Sequence, residues 1–216
     1  EGNYQFVAQE SHYIKSALLL VHNAGATTTV LVTTPRDKHQ IEPIGELIDL
    51  GMRHLHNKEA LAQTIMDVDE TMLANSFEYA GFKPLATLTY LERQKEITKH
   101  PSTRYSVTFR SMAEASEKEL QQILQSTYIH SLDCPGIHGL RSIQNIIAGH
   151  RGLGQYDASL WNIAALNKKD VGVLLLNPIH EAGCMELAYL GCTPQTRGKG
   201  VGDALVQLAI EQAAKY

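Results

Sequence analysis

Hydrophobic and polar positions in the first part of the chain alternate with a period of two and then recur with a helical period. The period of two, rich in β-branched residues, predicts strands; these are Tyr4–Ala8, Ile14–His22, Thr27–Thr33 and Leu61–Val68. After Pro43, apolar residues recur every three or four positions, which predicts an amphipathic helix. A shorter helix is predicted over Thr71–Ala80, where Gly81 ends it, and strand residues follow over Leu85–Leu91.

The second part of the chain shows the same periodicities in a different order. A strand is predicted over Tyr105–Phe109, and Ser116 with Glu119 forms a capping box that begins a helix. A second helix is predicted over Leu140–Ala148, and Asn177-Pro178 predicts a turn. Apolar runs predict three further strands and a closing helix, namely Leu160–Leu166, Val171–Leu176, Met185–Cys192 and Val201–Lys215.

Short sequence matches in the same order relate the two halves. Leu18–Leu20 and Thr34-Pro35 recur as Leu174–Leu176 and Thr193-Pro194, at offsets of 156 (174 − 18) and 159 (193 − 34) positions. Both blocks run strand, turn, strand, Thr-Pro and amphipathic helix, which predicts a tandem repeat. The predicted parts are an N-terminal domain, a polar linker and a C-terminal domain, at residues 1–95, 96–104 and 105–216.

Composition removes several classes of protein. The chain has 216 residues, of which 44% are hydrophobic and 19% charged, so it is long and apolar enough to fold around a core. Its formal net charge of −4 lacks the basic excess that binds nucleic acid or an anionic membrane. No apolar run approaches the roughly 20 residues of a membrane span. The three cysteines have no CxxC spacing, which predicts reduced thiols and a cytoplasmic location.

The clearest chemistry lies in the glycine-rich segment Arg197-Gly198-Lys199-Gly200-Val201-Gly202, between the last predicted strand and the last helix. Such a turn points several main-chain N–H groups and the positive end of a helix dipole at one place, which suits a pyrophosphate. Glycines let the phosphates approach the main chain because they carry no Cβ. The spacing fits neither a Rossmann loop, GxGxxG, nor a Walker loop, GxxxxGK[ST]. It fits Arg-x-x-Gly-x-Gly after a strand that ends in Thr-Pro; the alternative is a plain glycine-rich turn.

The segment LAYLGCTPQTRGKGVGDALVQLAIEQA resembles the coenzyme-binding motif of the GNAT superfamily of N-acetyltransferases, whose signature R/Q-x-x-G-x-G/A is met by Arg197, Gly200 and Gly202. The order of predicted elements up to Tyr216 is also similar, and the first half resembles the later part of the same fold. The resemblance implies an α/β (α+β) fold with a mixed, mostly antiparallel central sheet flanked by helices. Two partial modules would lie in tandem, a layout similar to mycothiol synthase. Because no Gly or Pro ends the last helix, we expect the fold to continue beyond Tyr216.

The resemblance also implies acetyl-coenzyme A as co-substrate and assigns residues to it. The loop would hold the pyrophosphate and the preceding strand the pantetheine arm, through Leu190, Gly191, Cys192, Arg197, Gly198, Lys199, Gly200, Val201 and Gly202. Glu186, eight positions before Pro194, corresponds to the family's general base; the alternative is a carboxylate that only faces solvent. Because the family transfers the acetyl group directly, we expect Cys192 to pack and not to act as a nucleophile. The family's general acid would lie beyond Tyr216.

The matching loop of the first half, Arg36–Gly45, differs where the chemistry would take place. It is two residues longer, carries the carboxylates Asp37 and Glu42 and keeps only one glycine. Carboxylates repel a pyrophosphate, so we expect this loop to have a structural role; weaker coenzyme binding is the alternative. Thr27 stands at the position of Glu186 and cannot accept a proton.

Two functional hypotheses follow from these residues. The first is an N-acetyltransferase that moves an acetyl group from acetyl-coenzyme A to an amine of a small molecule or peptide by direct attack. The second is a non-catalytic acyl-coenzyme-A-binding or scaffolding module. No metal is expected, since the ten histidines show no ligand spacing and His54 and His56 point to different sides of a helix. Neither nucleic acid nor membrane is expected as a partner, and monomer and homodimer both stay open.

Overall fold

Each half of the chain forms a four-stranded sheet of its own. The computed structural model describes residues 3–55, 61–94 and 106–216, and the chain divides into two units, residues 1–88 and 89–216. The predicted linker 96–104 and Tyr105 lie outside the described residues. The predicted domain boundary therefore stays a prediction.

The N-terminal sheet has the order β1-β2-β3-β4. Its strands are β1 (Tyr4–Glu10), β2 (Tyr13–Asn23), β3 (Thr27–Val32) and β4 (Leu61–Gln63). The first three strands pair antiparallel, whereas β4 pairs parallel to β3. A parallel pair needs a crossover connection, and helix α1 (Ile41–His54) lies within it. Helix α2 (Thr71–Tyr79) follows β4 and contacts α1.

A single apolar cluster holds the N-terminal unit together. Alternate residues of β2 point to it, and they pack against one face of α1 and against α2; its buried members are Leu18, Leu20, Val30, Ile44, Leu47, Ile48, Leu73 and Phe77. Each fully buried side chain of this size contributes about 1.5–3 kcal/mol relative to an exposed one. The predicted periodicities of the first three strands and of both helices of this unit are thereby confirmed.

Two sequence predictions for the N-terminal unit are wrong in extent or in kind. The predicted strand Leu61–Val68 ends already at Gln63, and Val68 is exposed. Residues 82–94, which include the predicted strand Leu85–Leu91, have no regular secondary structure. Their apolar side chains are largely exposed, and this segment joins neither of the two sheets in the described part of the chain.

The C-terminal sheet has the order β5-β6-β7-β8, and every neighbouring pair is antiparallel. Its strands are β5 (Val107–Ser111), β6 (Trp161–Leu166), β7 (Lys169–Ile179) and β8 (Cys184–Cys192). Helices α3 (Glu117–Tyr128) and α4 (Ile143–Arg151) connect β5 to β6, and α5 (Val201–Ala214) follows β8. The antiparallel central sheet with helices matches the expected fold.

Both faces of the C-terminal sheet are covered, which explains the unbroken apolar run in β7. Val173 and Leu175 point to a cluster under α3 and α4, whereas Val171 and Leu174 point to a second cluster under α5. Trp161 is fully buried in the first cluster. Asn177-Pro178 lies inside β7, so the predicted turn there is wrong; the chain turns instead over residues 180–183.

The caps of α3 and α4 show how the local sequence sets helix starts. Ser116 and Glu119 form the predicted capping box, and the hydrogen bonds that Glu119 accepts from Ser116 lower the pKa of its carboxyl to about 2. The second helix begins at Ile143 and not at Leu140, since Ser142 accepts a hydrogen bond from the Asn145 N–H and caps it. Among the described residues, no helix has the length and apolarity needed to cross a membrane.

Candidate functional site

Strand β8 forms one edge of the C-terminal sheet, and its main chain alternates in direction. The Thr193 N–H donates to the Val171 carbonyl at 2.8 Å, one step beyond the pair Cys192–Gly172. Hydrogen-bonded and non-hydrogen-bonded pairs alternate in an antiparallel ladder. The main-chain groups of Leu190 and Cys192 therefore point away from β7, whereas those of Gly191 point toward it. Such an unpaired edge can receive an extended ligand as an added strand.

A β-bulge interrupts β8 between the predicted base and the predicted coenzyme strand. Leu175 pairs with Tyr189 but Leu176 pairs with Leu187, so Ala188 is the extra residue. Bulges re-aim neighbouring side chains. Accordingly Ala188 and Tyr189, although adjacent in sequence, both pack against the cluster under α3 and α4.

Glu186 lies two residues before the extra residue Ala188, opposite Asn177 on β7. Directly opposite residues share a face of the sheet, and the Asn177 amide donates to the His150 carbonyl of α4 at 2.7 Å while accepting from Trp161 Nε1 at 2.7 Å. Glu186 is thus on the face that α4 covers. Its side chain is exposed, and no described residue bonds to it.

The glycine-rich loop leaves its main-chain donors uncovered. Gly198 and Gly200 have φ angles of 71° and 76°, in the left-handed region that glycine adopts without strain. Gly200 is also the N-cap of α5. Within residues 3–55, 61–94 and 106–216, no acceptor faces the N–H groups of Gly198, Gly200, Val201 or Gly202. The first N–H groups of a helix have no partner within the helix, and such donors are of the kind that can bind an anion; the predicted pyrophosphate contact of this loop stays a prediction.

A cleft of about 320 Å³ opens between β8 and the chain that follows α3. It is lined by Thr127, His130, Ser131, Leu132, Asp133, Tyr189, Leu190, Gly191, Cys192 and Arg197. The structure therefore brings four of the predicted coenzyme residues to one cleft. Glu186 and the loop residues 198–202 are not part of its lining.

The guanidinium of Arg197 is occupied by main-chain carbonyls. Its Nη1 donates to the carbonyl of His130 at 2.7 Å, and its Nη2 donates to those of Thr127 and Ile129 at 3.0 and 2.9 Å. Its Nε donates to the Cys192 carbonyl at 3.3 Å. The predicted contact of Arg197 with a pyrophosphate stays a prediction, and most donors of the side chain are already engaged.

Gly191 and Cys192 have packing roles that the sequence did not reveal in full. A Cβ on Gly191 would lie 2.6 Å from Tyr189 Oη and 2.8 Å from Thr127 Cβ, so only glycine lets α3 approach β8 this closely. Cys192 is half-buried and packs against the cluster under α5. Burial raises the pKa of its thiol, which disfavours the thiolate that a nucleophile needs.

Sequence reasoning missed a group of aromatic residues and a histidine beside the bulge. Tyr189 Oη lies 2.9 Å from Thr127 Oγ1, and its ring contacts those of Tyr128 and His150 at centroid distances of 5.2 and 5.6 Å. Burial raises the pKa of Tyr189, and burial with the nearby Arg141 charge lowers the pKa of His150 to about 4. These residues lie on separate elements, so no spacing along the chain could have grouped them.

The histidines of the described chain form no metal site. In residues 3–55, 61–94 and 106–216, no three His, Cys, Asp or Glu side chains lie close enough to hold an ion. His54 contacts the Leu50 carbonyl through Nδ1 at 2.8 Å, and His56 lies outside the described residues.

Comparisons with known proteins concern the fold and the C-terminal part of the chain. The sequence profile described as the acetyltransferase (GNAT) family matches residues 119–216. A solved GCN5-related N-acetyltransferase from Sphaerobacter thermophilus is similar in structure, with a TM-score of 0.57 and 15% identity over 92% of this chain. The alignment covers 64% of that protein's length. The protein PH1933 from Pyrococcus horikoshii OT3 aligns with a TM-score of 0.37 and 17% identity, over 51% of this chain and 73% of its own.

No curated protein matches the chain. The likeness to the Sphaerobacter protein establishes the fold, and the profile match covers the cleft, β8, the glycine-rich loop and α5. The mycothiol-synthase-like layout and the tandem arrangement stay predictions. On this basis, residues 119–216 of the chain are similar to the acetyltransferase (GNAT) family.

Proposed function

We propose that the C-terminal unit binds acetyl-coenzyme A and transfers its acetyl group to an amine. The observation that carries this proposal is the pairing of two features: a glycine loop with uncovered N–H groups, and the unpaired main-chain edge of β8 directly before it. The N–H groups of Gly198, Gly200, Val201 and Gly202 would hold the pyrophosphate. Those of Leu190 and Cys192 would pair with the pantetheine arm, as a strand would.

The coenzyme would supply the acetyl group as a thioester, which a neutral amine attacks directly. A C–N bond forms, the C–S bond breaks, and the coenzyme leaves as a thiolate that takes up the proton lost by the attacking nitrogen. An alkyl amine with a pKa of about 10.4 arrives protonated. Glu186 would accept that proton, because no described residue bonds to its carboxylate and it lies on the strand that carries the coenzyme edge. A main-chain N–H of the β8 edge would donate to the thioester oxygen as negative charge develops there.

A second candidate function is acyl-coenzyme-A binding without turnover. The specific observation in its favour is that Glu186 is exposed and absent from the lining of the cleft. The two candidates share the coenzyme site and differ only in whether Glu186 handles a proton. Coenzyme binding therefore tests both, and the Glu186→Gln variant described in the Discussion separates them.

The acceptor is proposed to be an amine on a small molecule or a peptide. Its pocket would lie on the α3–α4 face of β8, because Glu186 and the Tyr189 ring both occupy this face. Cys134, Cys184 and Cys192 are free thiols, and we propose that the protein works in the reducing cytoplasm.

Calorimetric titration of the 216-residue chain with acetyl-coenzyme A tests the proposal. We expect one saturable site per chain, and we expect Gly200→Glu to abolish it. The new carboxylate would repel the pyrophosphate, and a residue with a Cβ would be strained at the left-handed φ of this N-cap. The matched control is Gly183→Glu, which places the same side chain at another left-handed glycine, with open space around it. A folded wild-type protein that does not bind the coenzyme would contradict the proposal.

A further inference from the structure

The side chain of Arg197 donates four hydrogen bonds, and all four acceptors are main-chain carbonyls. Its acceptors are the carbonyls of Cys192 on β8 and of Thr127, Ile129 and His130 at the end of α3, at 2.7–3.3 Å. A guanidinium has five N–H donors, so these contacts leave one donor unused. The side chain therefore serves the protein's own main chain.

The end of α3 is a place that needs such a cation. The last carbonyls of a helix have no partner within it and form the negative end of the helix dipole. Ile129 leaves the helical conformation and His130 adopts a left-handed φ of 51°, so several carbonyls lie close together there. A planar guanidinium can reach several carbonyls at once, whereas a lysine ammonium is a single point charge.

A second contact joins the same two elements. Tyr189 of β8 and Thr127 of α3 share a hydrogen bond of 2.9 Å between their hydroxyls. Gly191 lies beside both, with no room for a Cβ. The end of α3 is thus fixed to β8 by the side chains of Arg197 and Tyr189, and both residues line the cleft.

We infer that Arg197 is a positioning residue that preforms the coenzyme slot, and that it does not act as a phosphate ligand. This inference rests on the proposed function. The Arg197 clamp, meaning its four carbonyl contacts, holds residues 127–133 as one wall of the cleft against the outward edge of β8. Because the wall and the edge both belong to the pantetheine part of the slot, the clamp contributes to binding even of a ligand that has no phosphate.

A ligand without phosphate therefore distinguishes the two possible roles of Arg197, a clamp or a phosphate ligand. The titrations use coenzyme A, which carries phosphates, and pantetheine, which carries none, each at two salt concentrations. We expect Arg197→Ala and Arg197→Lys to weaken both ligands by the same factor, about tenfold or more, because small displacements of a positioned group have large effects. The salt dependence of coenzyme A binding should not change, since no phosphate contact is lost.

Lys199→Ala is the matched comparison within the same loop. Lys199 is an exposed cation, and no described residue bonds to its side chain. Its loss should weaken coenzyme A but not pantetheine, and should reduce the salt dependence. If Arg197→Ala behaves like Lys199→Ala, or if Arg197→Lys restores binding, Arg197 is a phosphate ligand and the inference is wrong.

Two further readouts distinguish a clamp from a residue that only stabilises the fold. A purely structural role would lower the Tm or the binding-competent fraction and leave the Kd of the folded molecules unchanged, which would overturn the inference. Hydrogen exchange is measured on ligand-free protein, and Arg197→Ala should accelerate it over residues 127–133. If the wild type fails to bind coenzyme A, the proposed function fails by itself, and unchanged exchange over residues 127–133 would then refute the clamp independently.

Discussion

The loops that precede α1 and α5 each connect a strand to a helix but use their main chains in different ways. In the loop before α5, the Lys199 N–H donates to the Thr196 carbonyl, whereas no described acceptor faces the N–H groups of Gly198, Gly200, Val201 or Gly202. In the loop before α1, the Arg36 N–H donates to Gln40 Oε1 and the His39 N–H donates to Asp37 Oδ1, both at 2.8 Å. The N-terminal loop is therefore closed by its own side chains, and the C-terminal loop is left open for a ligand.

The helices that follow are of equal length, 14 residues each, but begin differently. The N-cap of α5 is Gly200, with a φ of 76°, whereas that of α1 is Gln40, with a φ of −89°. The single remaining glycine of the N-terminal loop region, Gly45, packs against α2, where a Cβ would lie 2.5 Å from Tyr79 Cδ1. Both loops connect a strand to a helix. We expect the N-terminal loop to be structural, because side chains of the loop accept hydrogen bonds from its N–H groups, and the C-terminal loop to bind an anion, because several of its N–H groups have no described acceptor.

Exchanging the N-cap residue is expected to have the largest effect. Gly200→Gln places in α5 the residue type that caps α1, and its side chain would both strain the left-handed turn and cover the free N–H groups. Loss of hydrogen bonds to a charged ligand should weaken acetyl-coenzyme A binding roughly a hundredfold. Isothermal calorimetry measures this, and an unchanged Kd would show that the comparison of the two loops is irrelevant to binding.

Glu186→Gln tests a second predicted difference between the units, because alignment of the two Thr-Pro pairs places Thr27 at the position of Glu186. We expect kcat for an amine acceptor to fall roughly a hundredfold, as on loss of a general base, with the acetyl-coenzyme A Kd unchanged. Glu181→Gln, an exposed carboxylate in the turn before β8, is the matched control. Undiminished kcat in Glu186→Gln would favour coenzyme binding without turnover or a different base.

Adding a methyl group tests the two close-packed glycines. Gly191→Ala and Gly45→Ala should each lower the free energy of unfolding by about 1–3 kcal/mol, since the added Cβ overlaps packed atoms. Only Gly191→Ala should also weaken the coenzyme, because it displaces α3 from the cleft. Denaturant unfolding and calorimetry measure the two effects. Gly202→Ala, whose Cβ would meet only Cys192 Sγ at 3.9 Å, is the stability control.

The C-terminal unit should lose stability in mild acid through His150. Its folded pKa of about 4 lies below the ordinary value of 6.5, so the unfolded chain binds the proton more readily between these values. Stability present above pH 6.5 is therefore lost as the pH falls toward 4. Because the ring is partly exposed, the loss is on the order of 2 kcal/mol. Calorimetric unfolding from pH 4 to 7 measures it, and His150→Leu should flatten the profile.

The smallest effect is expected in the closed loop. Asp37→Ala removes the side chain that accepts from the His39 N–H and should destabilise the N-terminal unit by about 1 kcal/mol, as loss of a cap does. Acetyl-coenzyme A binding should stay unchanged. A change in Kd would indicate that the N-terminal loop also takes part in binding.

Local sequence signals predicted most elements of both units. The capping box of Ser116 and Glu119, the left-handed glycines around Gly200 and the apolar run of β7 each act over a few residues, so they can be read along the chain. The wrong predictions concern features that neighbouring residues alone do not decide. Residues 85–91 have the composition of a strand, but a strand also needs a neighbouring edge, and the sequence does not say whether one is present.

The sequence by itself predicted most strands and helices, the glycine-rich loop and the similarity of residues 119–216 to the acetyltransferase (GNAT) family, because hydrophobic period, turn chemistry and motif spacing are properties of neighbouring residues. Only the tertiary structure decided that Arg197 faces the carbonyls at the end of α3, that Gly191 makes room for Thr127, and that Tyr189 and His150 meet beside the bulge. These contacts join residues 39 to 70 positions apart, and their partners are chosen by packing geometry and by unsatisfied main-chain groups.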